Sequence, residues 1–197
     1  MIIVPISDII LENIQKEVFK LIIVSLKKVP KKEQGDHAHL LLKTCLEKKG
    51  ISYERNKTPV TRNSHGKPSL TEFPDIKYNL SHADGVTACM ISDKECGIDC
   101  EGIRDYRPNV IKRAFSENEK ILLENTDEKN LLFFRLWTLK EAYVKAIGIG
   151  ISYPLNTVEF SFDGNKILSN ITDCSFKQYI IKNSYVVSIC ERTDNND

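Results

Sequence analysis

A chain of 197 residues, 41% hydrophobic and 28% charged with only nine glycines and seven prolines, can bury a sizeable core and is too apolar to be mainly disordered. A net charge of +1 excludes the basic excess of a nucleic-acid binder, and no apolar run approaches the ~18 residues of a membrane span. Cys45, Cys89, Cys96, Cys100, Cys174 and Cys190 form no Cys-x-x-Cys pair and the start Met1-Ile2-Ile3-Val4 has no basic leader, so free, mostly buried thiols in a cytoplasmic protein are expected, without zinc.

In chain order, Ile2 to Val4 reads as a short strand. Ser7 then reads as the N-cap of a helix whose apolar residues Ile10, Ile14, Val18, Leu21, Ile22 and Leu26 recur at helical spacing. Pro30 breaks the pattern inside Lys27-Lys28-Val29-Pro30-Lys31-Lys32, four lysines around a proline, which by themselves read as a solvated loop. A second helix is predicted over 36–49, ending at Gly50. From 51 to 95 the signals are those of strand and turn, with a loop at 63–68 and strands at 77–80 and 86–91, and a further strand follows over 96–101.

Helices are predicted near 108–114, 117–124 and 128–147, the last ending at Gly148 and Gly150. Strands return at 158–162, 176–181 and 186–190. Helices followed by strands, twice over and without βαβ alternation, predict an α+β fold with antiparallel sheets and packed helices. The order of elements divides the chain into two similar halves, 1–96 and 97–197.

Asp99 and Glu101 lie two apart in a predicted strand, so their carboxylates project from one face. Glu141 and Lys145 lie one helical turn apart on one face of the long helix. Either pair alone is commonplace: exposed acids on a strand, or an ordinary helix ion pair. Together, three carboxylates and an ammonium suit a divalent cation bound to a phosphate ester, with the lysine offsetting phosphate charge that the cation leaves over. Cys100, between the two acids, should point the other way and pack.

These residues occur in an ordered set. Gly66-Lys67-Pro68 and Asn79-Leu80-Ser81-His82 precede Gly97-Ile98-Asp99-Cys100-Glu101, and Ser116 and Glu119 precede Trp137-Thr138-Leu139-Lys140-Glu141-Ala142-Tyr143-Val144-Lys145. The set resembles the 4′-phosphopantetheinyl transferases, in particular the larger, surfactin-synthetase-activating type in which one chain holds two similar halves. The match covers residues 60–155. The resemblance implies a pseudo-two-fold fold, Mg²⁺ on Asp99, Glu101 and Glu141 against the pyrophosphate of coenzyme A, and Lys145 on the phosphates. It also implies a phosphate contact from His82 beside Ser81, and a Gly66-Lys67-Pro68 loop passing the adenine.

Glu119 matches a further acidic position, although Ser116-x-x-Glu119 is equally a helix capping box. His39 stands where the family places an arginine for the 3′-phosphate of coenzyme A. A histidine is only partly charged at neutral pH, which shifts that task toward Lys27, Lys28, Lys31 or Lys32. The implied activity is transfer of 4′-phosphopantetheine to a serine of an acyl or peptidyl carrier protein, with 3′,5′-ADP leaving; Glu141 is the candidate base, directly or through a metal-bound water, and the sequence does not separate the two. Lys112 and Arg113 are candidate contacts to the carrier, and a monomer without nucleic-acid or membrane partners is expected. The competing readings are a non-catalytic module that binds coenzyme A or a carrier, and a metal-dependent phosphohydrolase.

Overall fold

The computed structural model describes the backbone of residues 8–11 and residues 20–193 except 107. Eleven strands and four α-helices occur among them, all strand pairs being antiparallel, so the fold is α+β. β1 (Asp8–Leu11), β2 (Leu21–Ser25), β5 (Lys77–Ala83) and β6 (Val86–Ser92) form one sheet in the order β1-β2-β6-β5. β7 (Cys96–Gly102), β10 (Cys174–Ile181) and β11 (Tyr185–Arg192) form the second in the order β10-β11-β7. β3 (Val60–Arg62) with β4 (Pro68–Leu70), and β8 (Phe160–Asp163) with β9 (Lys166–Ser169), are two small hairpins.

The two main sheets face each other through alternate side chains. Ile22 and Val24 of β2, with Val86, Ala88 and Met90 of β6, meet Cys96, Ile98 and Cys100 of β7 and Val187 and Ile189 of β11. The other face of the first sheet, Leu21, Ile23, Cys89 and Ile91, packs on Leu41, Leu42, Cys45 and Leu46 of α1 (Gln34–Glu47). The other face of the second sheet, including Val186 and Cys190, packs on Leu136, Leu139, Ala142 and Tyr143 of α4 (Lys129–Ile147). The layers therefore run helix, sheet, sheet, helix. Strands buried on both faces become continuous apolar runs, and each fully buried Leu- or Ile-sized side chain stabilises by about 1.5–3 kcal/mol.

That double burial overturns one expectation from sequence. The helix predicted from Ser7 to Leu26 is replaced by strand at 8–11 and 21–25; the rest of it, and the strand predicted at Ile2 to Val4, lie outside the described residues. Leu21-Ile22-Ile23-Val24 satisfies helical spacing only because every position is apolar, and its β-branched residues pack better on a pleated surface. The strand β9 was also not anticipated. β3 and β4 lie in the stretch read only as strand and turn, without ranges of their own; the remaining elements fall within a few residues of expectation, among them α2 (Pro108–Ala114), α3 (Glu117–Glu124) and α4. All six cysteines are free and buried. Among the described residues no helix is long and apolar enough to cross a membrane.

One close approach positions the site. A Cβ placed on Gly97 would lie 2.0 Å from the carbonyl oxygen of Ala142 and 2.5 Å from the amide nitrogen of Ala146. Only a glycine lets β7 lie this tightly against α4. The same face of β7 presents Asp99 and Glu101 to Glu141 and Lys145 on the helix.

Candidate active site

Asp99 is buried on β7, and its Oδ1 accepts from Lys145 Nζ at 2.6 Å and from Ser81 Oγ at 2.8 Å. Lys145 also reaches Ser81 Oγ at 3.0 Å and the carbonyl of Ile98 at 3.2 Å. Asp99 Oδ2 is buried with no hydrogen-bond partner. Glu101, two residues on, accepts from Arg104 Nη1 at 2.8 Å, and Arg104 lies over the ring of Phe134 at 4.8 Å. Arg104 had no place in the expectations drawn from sequence; its position three residues after Glu101 was the available signal.

The electrostatics show an excess of negative charge. Burial, reinforced by the charge of Asp99 and partly offset by Lys145, pushes the Glu141 carboxyl up to about 6. Glu101 is also raised, by burial first and then by Asp99 against the opposing pull of Arg104. Burial opposes the Lys145 ammonium, but Asp99 more than compensates and the net shift is upward, so Lys145 is charged.

Three clefts meet at these acids. One of about 810 Å³ is lined by Lys28, Lys31, Gln34, His82, Glu101 and Arg104. A second of about 310 Å³ joins the Gly66-Lys67-Pro68 loop to Glu141 and Lys145. A third of about 390 Å³ is lined by Asp99, Glu101 and Glu141 together with Trp137, Arg113 and Tyr153. Glu101 is shared by the first and third, Glu141 by the second and third. This arrangement can take an extended ligand whose parts enter different clefts and meet at the carboxylates, where an anionic group would need a cation to offset the negative charge.

Residues 95–190, which contain all four of these side chains, match the family described as the 4′-phosphopantetheinyl transferase superfamily. The chain is 30% identical over 147 residues to the 4′-phosphopantetheinyl transferase ffp of Bacillus subtilis, spanning 70% of this chain and 66% of that protein. It is 40% identical over 107 residues to the transferase gsp of Aneurinibacillus migulanus, spanning 53% and 44%. To the transferase Sfp of Bacillus subtilis (strain 168) it is 29% identical, over 70% and 66%. The chain belongs to the 4′-phosphopantetheinyl transferase superfamily. It spans between 44 and 66% of the length of these relatives. A holo-[acyl-carrier-protein] synthase of Thermotoga maritima overlaps with a TM-score of 0.42 at 20% identity, over 52% of this chain and 66% of that one, too little to add to the fold described above.

Several superfamily motif residues are engaged in holding the two sheets and the helix together. On β5, Asn79 Oδ1 accepts from the Ile98 amide at 2.9 Å, and Ser81 Oγ accepts from the Cys100 amide at 3.3 Å while donating to Asp99. The alternation that points Asn79 and Ser81 at β7 sends His82 to the exposed side, into the cleft with Lys28 and Lys31. The Lys67 ammonium bonds Glu95 Oε2 at 2.5 Å and the Ala146 carbonyl at 2.6 Å.

His39 Nδ1 lies 2.6 Å from the Tyr53 hydroxyl, and burial, with the Arg62 charge, lowers its pKa. A neutral imidazole is poorly suited to a phosphate, and His39 lines none of the three clefts. Lys28 and Lys31 line the largest one; Lys28 is also 3.5 Å from Asp84, an exposed pair of little strength. Lys32 is exposed and outside the three clefts.

Glu119 and Lys140 are fully buried and 2.7 Å apart. Glu119 completes the capping box with Ser116 and accepts from the Phe160 amide at 2.9 Å, while Lys140 also donates to the carbonyls of Leu155 and Val158. The lysine of the Trp137–Lys145 motif thus ties α4 to α3 and to the start of β8. Spacing alone could not pair two charged residues 21 positions apart.

Proposed function

We propose that this chain transfers the 4′-phosphopantetheine group of coenzyme A to a serine hydroxyl of an acyl or peptidyl carrier protein, releasing 3′,5′-ADP. The observation that supports this best is the convergence of three clefts on Asp99, Glu101, Glu141 and Lys145. The reading places the 3′-phosphate in the cleft of Lys28, Lys31 and His82, the adenine beside the Gly66–Pro68 loop, and the pantetheine arm with the incoming serine in the cleft of Trp137 and Arg113. In this reading residues 1–96 supply most nucleotide contacts and 97–197 the acids, and a single chain suffices as a monomer.

A Mg²⁺ ion fits the residues present. Asp99 Oδ2 is a buried acceptor without a donor, and Glu141 and Glu101 are both raised by burial and by the charge of Asp99. Among the described residues no three such side chains form a ready-made metal cluster, and Asp99 and Glu101 are held by Lys145 and Arg104. Asp99, Glu101 and Glu141 would hold the ion, which supplies positive charge to the pyrophosphate as negative charge grows on the leaving group.

The chain's own residues account for the rest. The serine oxygen bonds the pantetheine-side phosphorus, the bond from that phosphorus to the bridging oxygen breaks, and the electron pair leaves with 3′,5′-ADP. Glu141, in this reading, takes the hydroxyl proton, directly or through a water. Lys145, whose ammonium donates to Asp99, Ser81 and the Ile98 carbonyl, supplies positive charge beside the phosphates rather than a free donor.

The test is the intact mass of an apo carrier protein after incubation with this protein, coenzyme A and Mg²⁺. A gain of one phosphopantetheine mass, lost with EDTA or with Asp99→Ala, is expected. Release of 3′,5′-ADP without a carrier would instead indicate a phosphohydrolase. Coenzyme A binding with no transfer to any acyl or peptidyl carrier would indicate a binding module.

A further inference from the structure

Lys67 lies in a loop that Asn63 closes on itself. Asn63 Oδ1 accepts from the amides of His65 at 3.0 Å and Lys67 at 2.9 Å, and its backbone amide bonds the Lys67 carbonyl at 3.0 Å. Arg62 Nη1 adds a bond to the Gly66 carbonyl at 2.8 Å. From this closed loop two side chains reach the end of α4. Asn63 Nδ2 donates to the Gly148 carbonyl at 2.9 Å, and Lys67 Nζ donates to the Ala146 carbonyl at 2.6 Å. The same ammonium reaches Glu95 Oε2 at 2.5 Å and the Cys96 carbonyl at 3.3 Å, at the entry to β7.

The Lys67 side chain is only 13% exposed. Its charge offsets the negative end of the helix and satisfies a carbonyl that the helix leaves unpaired. The fit is tight at Gly148, where φ is +70° and a Cβ would lie 2.8 Å from Lys67 Cδ and 2.9 Å from Asn63 Nδ2. A stem so packed and an ammonium so engaged leave no donor directed at a phosphate.

We infer that Lys67 is a positioning residue: it fixes the C-terminal turn of α4, and with it Glu141 and Lys145, relative to the entry of β7 and hence to Asp99. Lys145 is the neighbour of Ala146 and Cys96 is three residues from Asp99, so one ammonium sets the separation of the two elements that form the acidic centre. The loop lines the same cleft as Glu141 and Lys145, so a nucleotide bound against it bears on the catalytic helix through this clamp. The inference rests on the transferase reading for its kinetic consequence, but the clamp can be measured without it.

The experiment compares Lys67→Met, Glu95→Gln and the pair. Backbone hydrogen exchange in residues 144–148 should quicken roughly tenfold in Lys67→Met and less in Glu95→Gln, with the pair no faster than Lys67→Met. In transfer assays kcat should fall roughly tenfold or more, while the KM for coenzyme A stays within about threefold and the salt dependence of coenzyme A affinity is unchanged. A KM that rises with kcat intact and a flatter salt dependence would make Lys67 a phosphate ligand and overturn the inference; so would unchanged exchange at 144–148. If Lys67→Met does not fold, Glu95→Gln alone decides by the same two readouts. If the unmodified protein transfers nothing, the function proposal fails, and hydrogen exchange still decides the clamp.

Discussion

Lys145 and Asp99 are joined at 2.6 Å across the α4–β7 contact, through one carboxylate oxygen only; the other, Oδ2, is buried without a donor. A one-sided pair of this kind keeps an acceptor available to a cation while its ammonium partner limits the cost of burying the charge. Titration of the metal-free protein with Mg²⁺ should raise its unfolding temperature. Asp99→Asn should remove most of that rise, because the amide withdraws a negative oxygen from the set. An equal rise in both proteins would take Asp99 out of the cation site.

Glu141 gives a pH dependence of definite sign. Its folded pKa of about 6 lies above the ordinary 4.5, so the folded state binds this proton more tightly than the unfolded one. Its contribution is therefore favourable at acid pH and is lost as pH rises from about 4.5 to about 6. In the absence of divalent cations, Glu141→Gln should be more stable than the parent at pH 7 by up to about 2 kcal/mol, the advantage vanishing near pH 4.5. Urea unfolding at the two pH values in EDTA measures it, and a variant less stable at pH 7 would contradict the assignment.

The Lys140–Glu119 pair should behave as a buried ion pair. Lys140→Met strands Glu119 among apolar groups and should cost about 3–5 kcal/mol. Adding Glu119→Gln removes the stranded charge but keeps an acceptor for only one of the two amides, Ser116 or Phe160, so it should recover part of that loss. Additive losses in a double-mutant cycle would show that the two charges do not depend on each other.

Gly97→Ala should be disproportionately harmful for a single methyl group. The atoms it meets, at 2.0 and 2.5 Å, belong to the backbone of α4 and cannot swing aside. Separating β7 from the helix should cost about 3 kcal/mol, and it should also weaken the Mg²⁺-dependent stabilisation by moving Asp99 away from Glu141. Thermal unfolding with and without Mg²⁺ checks both effects.

In the proposed function Lys28 and Lys31 take the 3′-phosphate of coenzyme A in place of a neutral His39. Replacing Lys28 and Lys31 together by alanine should raise the KM for coenzyme A roughly tenfold and that for 3′-dephospho-coenzyme A much less. Equal effects on the two substrates would remove these lysines from 3′-phosphate recognition.

Much of this molecule was legible in local pattern. The capping box at Ser116, the long helix ending at a left-handed Gly148 and the same-face placement of Asp99 and Glu101 all follow from spacings of two to four residues, which backbone geometry turns directly into direction. The superfamily was legible too, because its motifs occur in order. The strand β2 was not: an unbroken apolar run has no period, and only the sheets on either side of it decide that it is extended.

By itself the sequence determined which residues carry charge and which faces they share, and so the chemistry available to the chain. The tertiary structure alone decided where each charge is used. Lys67, Lys140 and Lys145 are equivalent as letters, yet the first clamps a helix end 79 residues away, the second closes a buried ion pair, and the third meets the acids at the clefts. An ammonium on a four-carbon stem has no directional preference of its own, so its role is set by whichever carbonyls and carboxylates the packing of sheets and helix leaves without a partner.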